Sequence, residues 1–526
     1  SYLKRLGVNA IELMPFSEFE GNLSWGYNPN FFFALDKFYG TETAVKDFID
    51  ACHQQGIAVI MDIVLNHAFG SSPHAQMYWD GTNNKPATNN PWLNPDAKHP
   101  FNVGNDFNHE SQATKDLVAR VVRHWLTNYK IDGFRWDLSK GFTQTNNPSN
   151  VGAWGNYDAS RVAIWKRIYD STQAVSPNSY CILEHFGDNT EEKELADHGM
   201  LLWGNANYQF NQASMGYTQD SDFSGIASQK RGWSKPHLIG YMESHDEERL
   251  MYEAITFGNA SNPAHNAKDP YTALGRMQGL AVAFLSQPGP RMIWQFGEYG
   301  YDITIDYPCR TCNKPILWNY LQQGRRRQLL DVYKAMLHLR NNYETFRSLD
   351  FQASLGAGIK RMIMNHPTMN GVSLVNVDVN AANGIPAFQH TGWWYEYFSG
   401  DSLNVSNVNA AISLQPGEYR VYTDVKLPKP FITSVASIDE IDNPSFEFSV
   451  FPVPLQEQVS VEFVSPTALS TNLCIYNEQG ALVVEKSFDS NEGKNVVSLP
   501  TGLLPSGTYL VVLRLGTHFS CKTIIK

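Results

Sequence analysis

Apolar residues fall in short blocks along the first two thirds of the chain, at residues 10–14, 57–65, 131–137, 180–184, 207–210, 238–243 and 291–296. Blocks of this length bounded by polar residues predict buried strands. Between most of them the period becomes helical. Over residues 113–129, Leu117, Val121 and Trp125 recur beside Val118, Val122 and Leu126, four apart, which puts one apolar stripe on a helix. Repeated β-α units predict a parallel sheet, and over residues 7–345 the leading architecture is an α/β (β/α)₈ TIM barrel. Tyr2-Leu3-Lys4-Arg5-Leu6 before Gly7 reads as the last turns of a helix. With seven strand blocks in place of eight, the expectation is a barrel whose first strand lies upstream of Ser1. Two unpaired edges and weak turnover would follow.

Residues 68–109 break the rhythm with Asn83-Asn84-Lys85-Pro86 and Asn89-Asn90-Pro91. A long insertion at a strand's C-terminal end usually shapes a site. After a helical stretch at 325–342 the pattern turns all-β, which predicts a small antiparallel domain over residues 346–426. Leu427-Pro428-Lys429-Pro430 opens a linker over 427–443. From 444 to 526 the alternation is strict, as in Val459, Val461, Phe463 and then Tyr509, Val511, Leu513, Leu515, with a turn at Gly516-Thr517. That predicts a separate β-sandwich.

Composition narrows the partners. A net charge of -11 argues against nucleic acid and anionic membrane, and no apolar run is long enough to span a bilayer. Aromatic residues make up 13%, which suits both a core and flat sugar faces. Six cysteines in 526 residues do not build the fold. Cys309 and Cys312 form a lone C-x-x-C without the second ligand pair zinc needs, so a local disulfide or two free thiols is expected. Cys52 and Cys181 read as core.

The ends of the strand blocks carry the chemistry. In Ile131-Asp132-Gly133-Phe134-Arg135-Trp136-Asp137, Arg135 and Asp137 share a face. Such an arginine is expected to lower the carboxylate pKa and keep it ionised. Taken alone, the pair reads equally as a structural ion pair. Three other blocks also end in polar residues: Asn66-His67 with Asp62 behind, Glu184-His185, and Glu243-Ser244-His245-Asp246. Barrel enzymes gather functional groups at these ends, and two carboxylates flanking a bond are the equipment of glycoside hydrolysis.

Asp62-Ile-Val-Leu-Asn66-His67, Gly133-Phe-Arg135-Trp-Asp137, Ile182-Leu-Glu184-His and Ser244-His245-Asp246, in this order, resemble the four motifs of the α-amylase family of glycoside hydrolases. The family also holds pullulanases and glucan branching enzymes. The resemblance runs from residue 1 to about 425. It implies Asp137 as nucleophile, Glu184 as acid/base and Asp246 as transition-state stabiliser. Tyr27 would stack on the sugar, and His67, Arg135 and His245 would bind it. It also implies double displacement with retention, residues 68–109 as domain B and 346–426 as domain C. Many amylases follow the nucleophile with Lys-His, where this chain has Lys140-Gly141. Asn66 matches a calcium ligand of calcium-dependent members. No cofactor is required; a calcium site stays open and is not assigned.

The tail resembles the C-terminal sorting domain of the type IX secretion system. The resemblance rests on Asn443-Pro444-Ser445-Phe446, Phe451-Pro452-Val453-Pro454, Ile475-Tyr476-Asn477-Glu478-Gln479-Gly480 and the run Leu504–Val511. It implies a bacterial protein, secreted or held at the cell surface, whose partners are α-glucans and the secretion machinery. The function expected is hydrolysis of α-glucosidic bonds in starch- or glycogen-type glucans. The alternatives are a 1,4-α-glucan branching enzyme and a non-catalytic glucan-binding surface protein.

Overall fold

Seven strands form one parallel sheet in sequence order: β1 (Ala10–Leu13), β2 (Ala58–Ile63), β3 (Gly133–Trp136), β4 (Tyr180–Leu183), β5 (Leu201–Asn205), β6 (Leu238–Tyr241) and β7 (Arg291–Met292). The sheet curls into an open TIM-barrel-like array, with β1 and β7 at its two ends. The computed structural model describes residues 2–434, 448–465, 467–477, 481–515 and 518–526. Residues 435–447, which include most of the expected linker, lie outside the described residues. So do 478–480 and the expected turn at Gly516-Thr517.

Six of the seven strand blocks are strands. The block at 207–210 is not: it opens a helix, Asn207–Met215, and the fifth strand is the Leu201–Asn205 segment before it. Asn205 Oδ1 accepts from the Asn207 N–H at 2.9 Å and turns the chain. Phe210 and Ala213 are then buried three apart, on one helix face. The expected helix over 113–129 is Gln112–His124 continued by a π-turn, Trp125–Tyr129. The opening residues Tyr2–Leu6 are helical.

Other helices begin where short polar side chains cap them. Thr41 accepts from Ala44 N, Asp158 from Ser160 and Arg161 N, Asp188 from Thr190 N, and Asp269 from Thr272 N. Each cap contributes about 1 kcal/mol.

Alternation along the strands sorts the side chains into two layers. Val59, Met61, Ile63, Phe134, Trp136, Cys181 and Leu183 join the core shared with the helices. Ile60, Ile182, Trp203, Ile239 and Tyr241 form a separate cluster on the other face. Asp62 and Arg135 occupy that second face, opposite one another in the β2–β3 register. The sheet interior is therefore apolar low down and charged towards the C-terminal ends.

The insertion 68–109 has little regular structure. His67–Ala68 pairs with Asn105–Asp106, and buried Asp106 accepts from Asn94 Nδ2 at 2.8 Å and Lys98 N at 3.1 Å. Residues 351–423 form the expected antiparallel domain around a six-stranded sheet, over Val372, Leu374, Phe388 and Trp394. The chain divides into two compact units, residues 1–433 and 434–526. The second unit pairs a three-stranded with a four-stranded antiparallel sheet, enclosing Val459, Val461, Phe463, Ile475, Val511 and Leu513. Cys309 and Cys312 are disulfide-bonded, while Cys52 and Cys181 are free and buried.

Candidate active site

Arg135 organises the site. It has no exposed surface, and its Nη1 donates to Asp62 Oδ1 and Oδ2, both at 2.9 Å, and to Asp137 Oδ1 at 3.2 Å. Its Nη2 forms an ion pair with Glu184 Oε2 at 3.0 Å. One guanidinium therefore ties together carboxylates from the ends of three neighbouring strands. The Trp203 ring lies under it, 4.1 Å from Cζ. Burial disfavours this cation, but the charges of Asp62 and Glu184 hold it protonated.

The acids are enclosed unequally. The side chains of Asp137 and Glu184 keep 14% and 15% of their surface, whereas Asp246 keeps 48%. Leu138, just after Asp137, adopts a left-handed conformation at φ 44°, uncommon for a residue with a branched side chain. That turn aims its N–H at Glu184 Oε2, 2.8 Å away. Behind Glu184, Ser139 Oγ donates to its carbonyl at 2.8 Å. Ser139 Oγ also lies 2.9 Å from His185 Nδ1, and His185 Nε2 is 2.7 Å from Glu191.

The expected lowering of the Asp137 pKa is overturned. Burial, followed by the nearby charge of Glu184, pushes Asp137 well above the usual carboxylate range, and Arg135 does not compensate. The physical reason is sharing: a single cation serves Asp62, Asp137 and Glu184 at once. Burial also works upward on Asp246, but its bond to His245 and the charges of His245, Arg135 and Arg310 bring it below the ordinary value. Two acids that are pushed apart in this way suit different roles.

The structure brings the remaining expected residues to the same place with different exposures. Tyr27 donates to Asp62 Oδ2 at 2.7 Å and stacks on His245, centroids 4.9 Å apart. Gly26 lets the chain reach this position, since a Cβ there would collide with the Pro15 carbonyl and φ is +95°. His245 Nε2 is 3.3 Å from Asp246 Oδ2. His67 is fully buried; its Nε2 lies 2.8 Å from the Tyr27 carbonyl and its Nδ1 3.3 Å from Asn66 Oδ1. Burial drops its pKa to about 4, so it is neutral and holds Tyr27 from behind.

Sequence reasoning missed Glu12 on β1. Burial and the Asp62 charge raise it to about 8. The signal was an acid inside the apolar block Ala10-Ile11-Glu12-Leu13-Met14.

The surroundings of Asn66 explain the Lys140-Gly141 departure. Asn66 Nδ2 lies 3.1 Å from His99 Nε2, and a Cβ on Gly141 would strike both groups. Asp106 Oδ1 lies 3.4 Å from the same imidazole nitrogen. Among the described residues no group of three or more His, Cys, Asp or Glu could hold a metal ion. With the His99 ring nitrogen facing the Asn66 amide, these residues do not present the all-oxygen donor set that a calcium ion takes.

Residues 1–108 match the family described as the α-amylase catalytic domain. Over these residues the start of the barrel is similar to the α-amylase family. Residues 449–526 match the secretion system C-terminal sorting domain, which directs proteins by type IX secretion to the cell surface or exterior. Malto-oligosyltrehalose trehalohydrolase from Saccharolobus solfataricus is 24% identical over 62% of this chain and 57% of that protein. A 1,4-α-glucan branching enzyme from Photobacterium profundum is 25% identical over 66% of this chain and 48% of its own length. The chain thus spans about half the length of the curated relatives it matches. Among solved structures, α-amylase from Geobacillus thermoleovorans superposes with TM-score 0.61 at 17% identity, over 80% of this chain and 89% of that one. Pullulanase from Anoxybacillus sp. LM18-11 superposes with TM-score 0.60 at 18% identity, over 80% and 64%. These likenesses concern the fold.

Proposed function

We propose that the protein is a retaining glycoside hydrolase that cleaves α-glucosidic bonds in starch- or glycogen-type glucans outside the cell. The observation that carries this reading is the Arg135 guanidinium shared by Asp137 and Glu184, with Asp246 across the mouth beside His245. Asp137, when ionised, attacks the anomeric carbon while Glu184 gives its proton to the leaving oxygen, releasing one glucan chain. The glycosyl–Asp137 ester is then opened by a water whose proton returns to Glu184. Asp246, held ionised, stabilises the positive charge that develops on the sugar ring. Tyr27 and His245 offer a flat face and ring nitrogens to the sugar, His67 supports Tyr27, and Arg135 acts through the carboxylates it orients.

A second reading keeps the same chemistry but passes the glycosyl unit to a glucan hydroxyl in place of water. The branching enzymes among the curated relatives favour it. Export weighs towards hydrolysis, because an exported enzyme meets polymeric substrate rather than a growing intracellular store. The test is product analysis on soluble starch, amylose and pullulan. Hydrolysis releases reducing ends with retained anomeric configuration. Rising branch content without new reducing ends would replace the hydrolase reading, and full activity in Asp137→Asn would remove both.

A further inference from the structure

Beyond β7 the chain makes a loop over residues 301–316 that returns to the mouth of the site and settles on the segment carrying Asp246. It docks at two points. Glu248 accepts from Thr304 Oγ1 at 2.6 Å and from Ile305 N at 3.0 Å. At the second point Arg310 Nη2 donates to the Asp246 carbonyl at 2.6 Å and lies 3.9 Å from its Oδ1.

Arg310 is not left to find that pose by itself. It sits inside the small ring closed by the Cys309–Cys312 disulfide, tightened by Cys312 N donating to Cys309 O at 3.1 Å. Lys314 Nζ closes the ring from below, donating to the carbonyls of Cys309 at 2.6 Å and Arg310 at 3.0 Å. A half-exposed arginine on an ordinary loop would sample many rotamers, and ordering it costs side-chain entropy. Closing the ring removes backbone freedom beforehand. Asp246 needs such a support because it is the most exposed of the three acids and, unlike Asp137 and Glu184, forms no ion pair with Arg135.

We propose that Arg310 is a positioning residue for Asp246 and that the Cys309–Cys312 ring is the mount that aims it. The proposal rests on the glucan-cleaving reading of this site. It assigns the C-x-x-C a mechanical task at the mouth of the site.

The test compares the protein with Arg310→Ala, Arg310→Lys, a paired Cys309→Ser/Cys312→Ser variant and the combined triple variant. Turnover on soluble starch is measured beside amide hydrogen exchange in residues 243–249. Arg310→Ala is expected to lower kcat about ten- to a hundredfold, the worth of a charge-assisted hydrogen bond, with KM changed less than about threefold. Arg310→Lys restores most of it by keeping the charge. The serine pair lowers kcat by a smaller factor and adds nothing once Arg310 is gone, as coupled residues require. Exchange at 243–249 rises in both Arg310→Ala and the serine pair, with the melting temperature unchanged.

A kcat for Arg310→Ala within about twofold of the parent, or a serine-pair cost that is the same with and without Arg310, overturns the proposal. The exchange readout separates it from the functional reading. If the parent turns over no glucan yet exchange responds as stated, the reading fails and the anchor stands. If the parent is active and neither kcat nor exchange responds, the anchor fails and the reading stands. If neither turnover nor a change in exchange is seen, both fall.

Discussion

The barrel and the sandwich bury opposite things. On the inner face of the barrel sheet, Asp62 and Arg135 are both almost without solvent contact, above an apolar cluster that includes Ile60 and Ile182. The interior of the sandwich is Val459, Val461, Phe463, Val511 and Leu513, and its buried polar groups among the described residues are the neutral hydroxyls Ser465, Thr471, Ser490 and Thr501. Buried ions cost several kcal/mol each unless they are paired and hydrogen-bonded. A domain that only needs to fold has no reason to keep them. The sandwich thus looks like a delivery module, and the barrel like the part that spends stability on chemistry.

The contrast breaks most sharply when each half is disabled in turn. Asp137→Asn should lower kcat on the order of 10⁴-fold or more, and Glu184→Gln about 10²–10⁴-fold on natural glucans, with export unaffected. Removing residues 434–526 should do the reverse, leaving kcat unchanged while the protein no longer reaches the cell surface. Fractionating cells and assaying reducing-end release in each fraction checks both. Loss of turnover on deleting the sandwich would contradict the division.

The next effects are on stability. Arg135→Met leaves Asp62, Asp137 and Glu184 without their common cation, so it should destabilise the barrel unit by about 3–5 kcal/mol. Leu513→Ala should cost the sandwich about 2–5 kcal/mol through an unfilled cavity without touching turnover. Two separate denaturation transitions, each moved by only one of the variants, are expected. A smaller effect is predicted for Tyr27→Phe, which gives up the 2.7 Å bond to Asp62. It should cost about 1 kcal/mol, read as a modest fall in kcat/KM.

Much of this was legible beforehand, and what was not has identifiable causes. Strands buried on both faces announce themselves as apolar blocks, so β1 to β4, β6 and β7 could be read directly. The fifth could not, because Leu201-Leu202-Trp203 is short and Asn207-Tyr208-Gln209-Phe210 alternates like a strand while folding as a helix. The seven expected site residues do converge, since a parallel barrel carries the C-terminal ends of its strands to one rim. Their electrostatics were harder to foresee. Reading Arg135 and Asp137 as an isolated pair put the carboxylate pKa low. Asp62, 73 residues earlier in sequence, and Glu184 compete for the same guanidinium, and no local pattern reveals that competition. For the same reason the neutral, fully enclosed state of His67 and the raised pKa of Glu12 became visible only in three dimensions.

The smallest effect sharpens the comparison furthest, because it asks whether Asp137 is held against the fold's interest. Burial and Glu184 raise the folded-state pKa of Asp137 above its unfolded value. The folded protein therefore binds this proton more tightly than the unfolded chain does. Stability from the group is complete below the unfolded pKa and is lost as pH rises towards the folded one. Catalysis runs the other way, since attack needs the ionised form: kcat/KM should climb with pH through an acidic limb placed above the ordinary carboxylate range. Asp137→Asn removes the charge and keeps the shape. It should abolish turnover yet melt slightly higher than the parent at neutral pH, with the gap closing as the pH is lowered. Thermal melts across the acidic to neutral range measure this. A variant that melts lower at every pH would show that the ionised carboxylate is paid for in place by Arg135, and the barrel rim would then be no more strained than the sandwich.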